Sequence, residues 1–155
     1  MMLFNNEPID NKEYSEEILN HGLSLYEVCR VFRGKVIFLH DNILRLDNSI
    51  KKSGLKIDIA DLNVEGKLNR LIDLEHIKEG NIKYVLHVSP SGIDEYVYQI
   101  KHSYPTEEAY QHGIETVTCR AMRENAEVKY INSGLREMTN KIMQEQRVYE
   151  VLLID

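Results

Sequence analysis

The sequence predicts an α+β fold, an antiparallel sheet with flanking helices. Three observations carry that expectation. Apolar residues alternate on both sides of Arg33-Gly34, which reads as strand, tight turn and strand over Ser24 to Leu39. Two further strand-like runs, Ile82 to Val88 and Glu95 to Ile100, flank the turn residues Ser89-Pro90-Ser91-Gly92. Between these pairs lie two stretches whose apolar residues recur at spacings of three and four. Hairpins with helices inserted between them form the α+β pattern.

The elements follow in order. Val28, Val31, Val36, Ile37 and Leu39 supply the apolar positions of the first two strands. A helix comes next, with Asp41 as its expected cap, because a carboxylate can accept first-turn N–H groups. Ile43, Leu46 and Ile50 form its apolar stripe, and Gly54 suits the position just past its end. A second amphipathic helix is expected over Asp61 to about Ile77, weakened by Gly66 and ended by Gly80-Asn81. Pro105 to His112 reads as a short helix or turn, Ile114 to Ala121 as an alternating strand, and Arg123 to Asn132 as irregular. Gly134 to Gln146 is helical, and Tyr149 to Asp155 reads as a buried closing strand.

Composition narrows the function. The 155 residues carry 19 Lys plus Arg against 25 Asp plus Glu, a net charge of −6. A protein driven onto nucleic acid by charge has the opposite balance, so no nucleic-acid partner is expected. At 43% hydrophobic and 28% charged the chain is too apolar for disorder. No apolar run approaches the roughly 20 residues that span a bilayer, and no signal peptide is read at the start. A membrane role is therefore not expected, and the cytoplasm is the default compartment. Cys29 and Cys119 make neither a disulfide framework nor a zinc site, and the six histidines show no paired ligand spacing, so no metal is expected. Phosphate loops, dinucleotide glycine fingerprints and nucleophile elbows are missing as well.

Two residues stand out against this background. Lys129 lies in Val128-Lys129-Tyr130-Ile131, an apolar setting just before a helix. A lysine there is either a desolvated amine able to form a Schiff base or a surface lysine snorkelling to water. Arg30 lies on the first strand, on the face shared with Val28 and opposite Cys29 and Val31. Turned inward, it requires an anion, either a carboxylate or a bound phosphate. Cys29 itself reads as a small buried thiol.

Three segments resemble one family. Gly22 to Lys35, then Asp41-Asn42-Ile43-Leu44-Arg45-Leu46 with Ser49, then Val128-Lys129-Tyr130-Ile131-Asn132 with the helix and strand that follow, occur in the order seen in class IV, fold-type IV pyridoxal-phosphate enzymes. That group holds branched-chain and D-amino acid aminotransferases and aminodeoxychorismate lyase. The resemblance implies pyridoxal 5′-phosphate as cofactor and transfer of an amino group between an amino acid and an α-keto acid. Lys129 would be the Schiff-base lysine and proton shuttle. Arg30 matches the phosphate-binding arginine. Tyr26 matches a residue lining the substrate pocket, with a core tyrosine as the alternative. Lys83 stands where the lyase carries a lysine for an acidic substrate, with a solvent-facing strand lysine as the alternative. The fold implied is the N-terminal α+β domain over 1–112 and the start of the cofactor-binding domain over 113–155. A homodimer is implied too.

The departures concern the substrate. Ser133 replaces the tyrosine of branched-chain enzymes, and Val88-Ser89-Pro90-Ser91 holds no arginine like that of the D-amino acid enzymes. The acid that pairs with the pyridine nitrogen falls beyond Asp155 in complete family members, which are nearly twice as long. The 155 residues alone are therefore expected to hold the cofactor weakly and to be inactive. Two other activities remain open: elimination of pyruvate by an aminodeoxychorismate lyase, in 4-aminobenzoate and folate synthesis, and a catalytically incomplete fragment acting only in association.

Overall fold

The structure is a computed structural model and describes residues 1–102, 104–122 and 126–154, without the side chains of Glu13, Asn20 and Ser133. The readings made at Ser133, at Asp155 and over 123–125 lie outside the described residues. The chain forms two compact units: Met1–His102 with Glu127–Ile131, and Ser103–Ala126 with Asn132–Asp155.

In the first unit, β1 (Met2–Phe4), β2 (Glu7–Ile9), β3 (Leu23–Phe32), β4 (Lys35–Val36), β5 (Glu79–Ser89) and β6 (Gly92–Ile100) build one sheet in the order β2-β1-β6-β5-β3-β4. Every neighbouring pair is antiparallel, as the α+β reading requires. The β1–β2 hairpin was not expected from sequence. Its strands are three residues each, and its turn is made by Asn5 and Asn6 at φ 46° and 68°, the positive-φ pair that a two-residue hairpin favours.

Period-two alternation sorts the sheet into two faces. Leu25, Cys29 and Val31 of β3 join Ile82, Tyr84 and Leu86 of β5 and Val97 of β6 on the face covered by α1 (Leu39–Lys52) and α2 (Val64–Glu75). Leu46 and Ile50 of α1 and Leu68, Leu71 and Ile72 of α2 close that core. The other face gathers Met2, Val85, Tyr96 and Tyr98 under Leu19, with Tyr14 and Tyr26 at its margin.

Three boundary expectations are corrected. α1 begins at Leu39 behind Phe38, which adopts φ 54° with no side-chain cap, so Asp41 sits inside the first turn. Its charge still favours the helix N-terminus. α2 stops at Glu75, where His76 turns left-handed at φ 51°. Gly80 therefore does not end the helix. It lies in β5 at φ 144°, where an added Cβ would meet the Gln99 side chain at 2.9 Å.

β4 pairs only with Val31 and Phe32, which leaves the earlier part of β3's edge open. Residues 127–131 occupy it. Tyr26 N–H donates to the Lys129 carbonyl (3.0 Å), Ile131 N–H donates to the Ser24 carbonyl (2.9 Å), and Leu25 bridges Tyr130. This strap places Lys129 beside the first unit's sheet.

The second unit contains α3 (Glu107–His112), β7 (Thr116–Arg120), α4 (Ser133–Gln146) and β8 (Glu150–Ile154). Thr106 caps α3, its hydroxyl accepting from Ala109 N–H at 3.2 Å. β7 and β8 run parallel with α4 as the crossover, a departure from the hairpin pattern of the first unit. The closing strand is not the buried one expected. Val151 is buried, but Leu152, Leu153 and Ile154 are 50%, 38% and 41% exposed, because among the described residues the β7–β8 pair has no further strand on either edge, and the cover it has comes from α4 packed against β8.

Candidate active site at Lys129

The strap fixes the Lys129 backbone on two sides. Its carbonyl is held by β3, and its N–H donates to Ser49 Oγ at 3.2 Å. Ser49 is buried on α1 and donates its own proton to the Arg45 carbonyl at 2.9 Å. The ammonium then reaches Glu27, with Nζ 3.1 Å from Oε2, and lies 5.0 Å from the centre of the Tyr26 ring. The Lys129 side chain is 23% exposed, so it is neither snorkelling freely nor sealed in.

Glu27 is the unexpected member. It sits between Leu25 and Cys29 on the helix-covered face and its side chain is 2% exposed. A carboxylate so buried requires partners. Arg45, from α1, meets it with two parallel bonds, Nε to Oε1 at 2.8 Å and Nη2 to Oε2. Arg45 Nη2 also donates to Asn42 Oδ1 at 3.0 Å. The bonds to Glu27 raise the Arg45 pKa further above its ordinary value. Two cations thus share one carboxylate, and the cluster keeps a net positive charge. Sequence reasoning passed over both residues. The signal was available: a lone acid in the buried register of an apolar strand, and an arginine one residue before Leu46 of the core stripe.

The expected site residues fall into two groups. Tyr26 and Lys83 come together with Lys129. Lys83 Nζ is 5.5 Å from the Tyr26 ring centre and 5.6 Å from that of Tyr98, and 3.0 Å from Glu16 Oε1. Tyr98 donates its hydroxyl proton to the same Glu16 oxygen at 2.7 Å. The Lys83 side chain is 14% exposed, so the solvent-facing alternative does not hold. Arg30 lies elsewhere. It shares Tyr26's face, as the alternation requires, but sits four residues along β3, about 13 Å at the usual rise per residue. It is exposed there, so the inward-turned arginine that the sequence suggested is not what β3 presents. Cys29 is the buried thiol expected. Burial, reinforced by the nearby Glu27 charge, pushes its pKa up to about 11, which leaves no nucleophile at neutral pH.

Comparison with known proteins identifies the family and the fold. A family model described as amino-transferase class IV matches residues 24–155. D-alanine aminotransferase of Bacillus licheniformis is 23% identical over 171 residues, covering 99% of this chain and 59% of that protein. Among solved structures, the Escherichia coli branched-chain amino acid aminotransferase superposes with a TM-score of 0.77 at 16% identity, covering 99% of this chain and 59% of the other. The 4-amino-4-deoxychorismate lyase of Pseudomonas aeruginosa gives 0.77 at 16%, covering 100% and 61%. A hypothetical aminotransferase from Mycobacterium tuberculosis, in a PLP-bound form, gives 0.74 at 13%, covering 99% and 61%. These likenesses speak for the fold, and the chain spans about three fifths of each relative's length. The family match covers β3 from Ser24 onward, α1 and the lysine strap, and the chain belongs to the class IV aminotransferase family.

Proposed function

We propose that this chain carries the lysine side of a pyridoxal-phosphate site that transfers an amino group between an amino acid and an α-keto acid. The observation that carries the reading is Lys129, held 3.1 Å from a buried carboxylate that also grips the Arg45 fork. A primary amine, a guanidinium and an aromatic ring on one positively charged rim suit a planar aldehyde bearing a phosphate. When bound, the cofactor supplies an electron sink for the substrate's α-carbon.

The residues divide the work. Lys129 Nζ would hold the cofactor's aldehyde carbon, and as a free amine it would carry a proton to and from the substrate carbon beside it. For the phosphate there are two candidates. Arg30 is supported by the family resemblance, and Arg45 is supported by its place on the Lys129 carboxylate. Arg45 is the one we favour. Tyr26 offers a ring face beside the amine, and Lys83, partly buried against Tyr26 and Tyr98, offers a cation for a substrate carboxylate. Residues 113–155 as the opening of the cofactor-binding domain, and a homodimer as the assembly, belong to the same proposal.

Pyridoxal phosphate followed by borohydride is expected to label Lys129 selectively, read by peptide mass. A label spread over the surface lysines would overturn the reading. The lyase alternative rests on the likeness to aminodeoxychorismate lyases. Turnover that requires an added α-keto acid supports transfer, and pyruvate release without one supports elimination.

A further inference from the structure

We propose that Glu27 is a positioning residue whose single carboxylate sets both the Arg45 fork and the Lys129 amine, so that the phosphate grip and the cofactor-linking amine are aligned by one side chain. This inference rests on the reading of the site as a pyridoxal-phosphate site. Three elements meet on Glu27: β3 supplies the carboxylate, α1 supplies Arg45, and the strap, 102 positions further along the chain, supplies Lys129.

The roles of the two oxygens differ. Among the described residues, Oε1 accepts from Arg45 Nε alone, while Oε2 accepts from both Arg45 Nη2 and Lys129 Nζ. The Glu27 side chain is 2% exposed, and its cations are 52% and 23% exposed. The carboxylate is therefore anchored from inside, and the cations project from it towards solvent. A phosphate arriving at the open side of Arg45 need not displace the carboxylate, because a guanidinium carries five N–H donors. Without the carboxylate, two like charges would face each other with no anion between them, and both would move apart. Ser49 links the Lys129 N–H to the Arg45 carbonyl, backbone to backbone, and Asn42 accepts from the Arg45 guanidinium. Among the described residues, the group that joins the guanidinium to the ammonium is the Glu27 carboxylate.

Two probes separate the functions. Pyridoxine 5′-phosphate has the phosphate but no aldehyde, and its binding reads the Arg45 grip. Pyridoxal has the aldehyde but no phosphate, and its borohydride-fixed incorporation reads the Lys129 amine. Glu27→Gln is expected to weaken both, each by about tenfold, the usual worth of a charge-assisted bond. Glu95→Gln breaks another buried ion pair on the same sheet face and controls for general destabilisation. It is expected to leave both probes as in the wild type. Should Glu27→Gln not fold, Glu27→Asp keeps the charge but withdraws it by one methylene, and is expected to give a smaller loss on both probes. Loss on only one probe, on neither, or equally in Glu95→Gln overturns the inference. A wild-type chain that takes up neither probe removes the reading of the site itself, and this inference with it.

Discussion

Glu27, buried, and Glu95, partly buried, are carboxylates on the helix-covered face of the same sheet, and each is paired with a cation from a packing helix. Glu95 holds Lys67 of α2 through both oxygens, at 2.5 and 2.6 Å, and also accepts the Tyr84 hydroxyl. The Lys67 and Glu95 side chains are 11% and 15% exposed, so donors and acceptor saturate one another within a closed cluster. Burial and the bond to Glu95 raise the Tyr84 pKa well above the usual phenol value. Glu27 is more deeply buried, but its cations are not: Arg45 is half exposed and Lys129 keeps an open side. The same chemistry therefore serves two ends. A carboxylate whose partners are consumed inside the fold fastens a helix to a sheet. One whose partners reach the rim holds charges ready for something else.

The largest effect should come from breaking the closed cluster. Glu95→Ala leaves a buried ammonium and the Tyr84 hydroxyl without their acceptor, and is expected to cost about 3 kcal/mol in urea unfolding. Replacing Lys67 and Glu95 together by Met and Leu should recover the part due to the ammonium, since an apolar pair of similar volume tolerates burial, but not the part due to the Tyr84 hydroxyl. If Glu27→Gln costs as much as Glu95→Ala, the distinction between closed and open clusters fails.

Alkaline titration gives the next largest effect and tests how dry the Glu27 side is. Cys29 points to the same face two residues along β3, with its pKa raised to about 11 by burial and then by Glu27. A folded pKa above the unfolded one means the proton is held more tightly in the folded state. The associated stability is complete below the ordinary thiol value and is lost as pH rises from about 9 to about 11. The loss amounts to at most about 3 kcal/mol, and Cys29→Ala should remove it. Tyr14, raised to about 12 chiefly by burial, follows at higher pH. A thiol that reacts with a disulfide reagent at pH 8 in the folded chain would mean that water reaches the Glu27 side freely.

The contrast between the clusters was only half visible in the sequence. β3, its turn and α1 could be read because Arg33-Gly34 and the Ile43, Leu46, Ile50 stripe are local signals. Lys129, Tyr26 and Lys83 could be nominated, because they fall within matched segments or an apolar strand. Glu27 and Arg45 were passed over because their meaning is pairwise. They lie 18 positions apart, and only the crossing of α1 over β3 makes one the partner of the other. The β1–β2 hairpin was hidden by strands too short to show a period, although Asn5-Asn6 is the kind of pair that makes such a turn. The exposed Leu152, Leu153 and Ile154 show the reverse failing: an apolar run states a preference for burial but not what covers it.

The rim offers a smaller effect. Arg45→Ala leaves Glu27 with Lys129 as cation, and water can reach the vacated space. The expected loss of stability is about 1 kcal/mol, clearly below that of Glu95→Ala. Pyridoxine 5′-phosphate binding should fall far more than stability does. A variant that loses stability and phosphate binding in proportion would make Arg45 another structural cation like Lys67.

The smallest effect concerns how the strap is fastened. Glu127 begins it and pairs with Lys52 at 2.6 Å on the surface. The hydrogen bond from the Lys52 ammonium, more than its charge, holds the Glu127 carboxyl below the usual carboxylate range. The sign follows: whatever stability the pair adds is present above the ordinary carboxylate pKa and is lost as pH falls through the lowered value. Exposed pairs of this kind rarely contribute measurably. Lys52→Ala should therefore return the Glu127 titration, followed by carbon NMR, to its ordinary range while pyridoxal labelling of Lys129 stays unchanged. Ser49→Ala acts on the bond to the Lys129 N–H instead, and should slow that labelling by a few fold, since a lost buried hydrogen bond is worth about 1 kcal/mol. The opposite ranking, with Lys52→Ala freeing Lys129 and Ser49→Ala leaving it in place, would mean that the surface pair and not the α1 contact holds the lysine strap against β3.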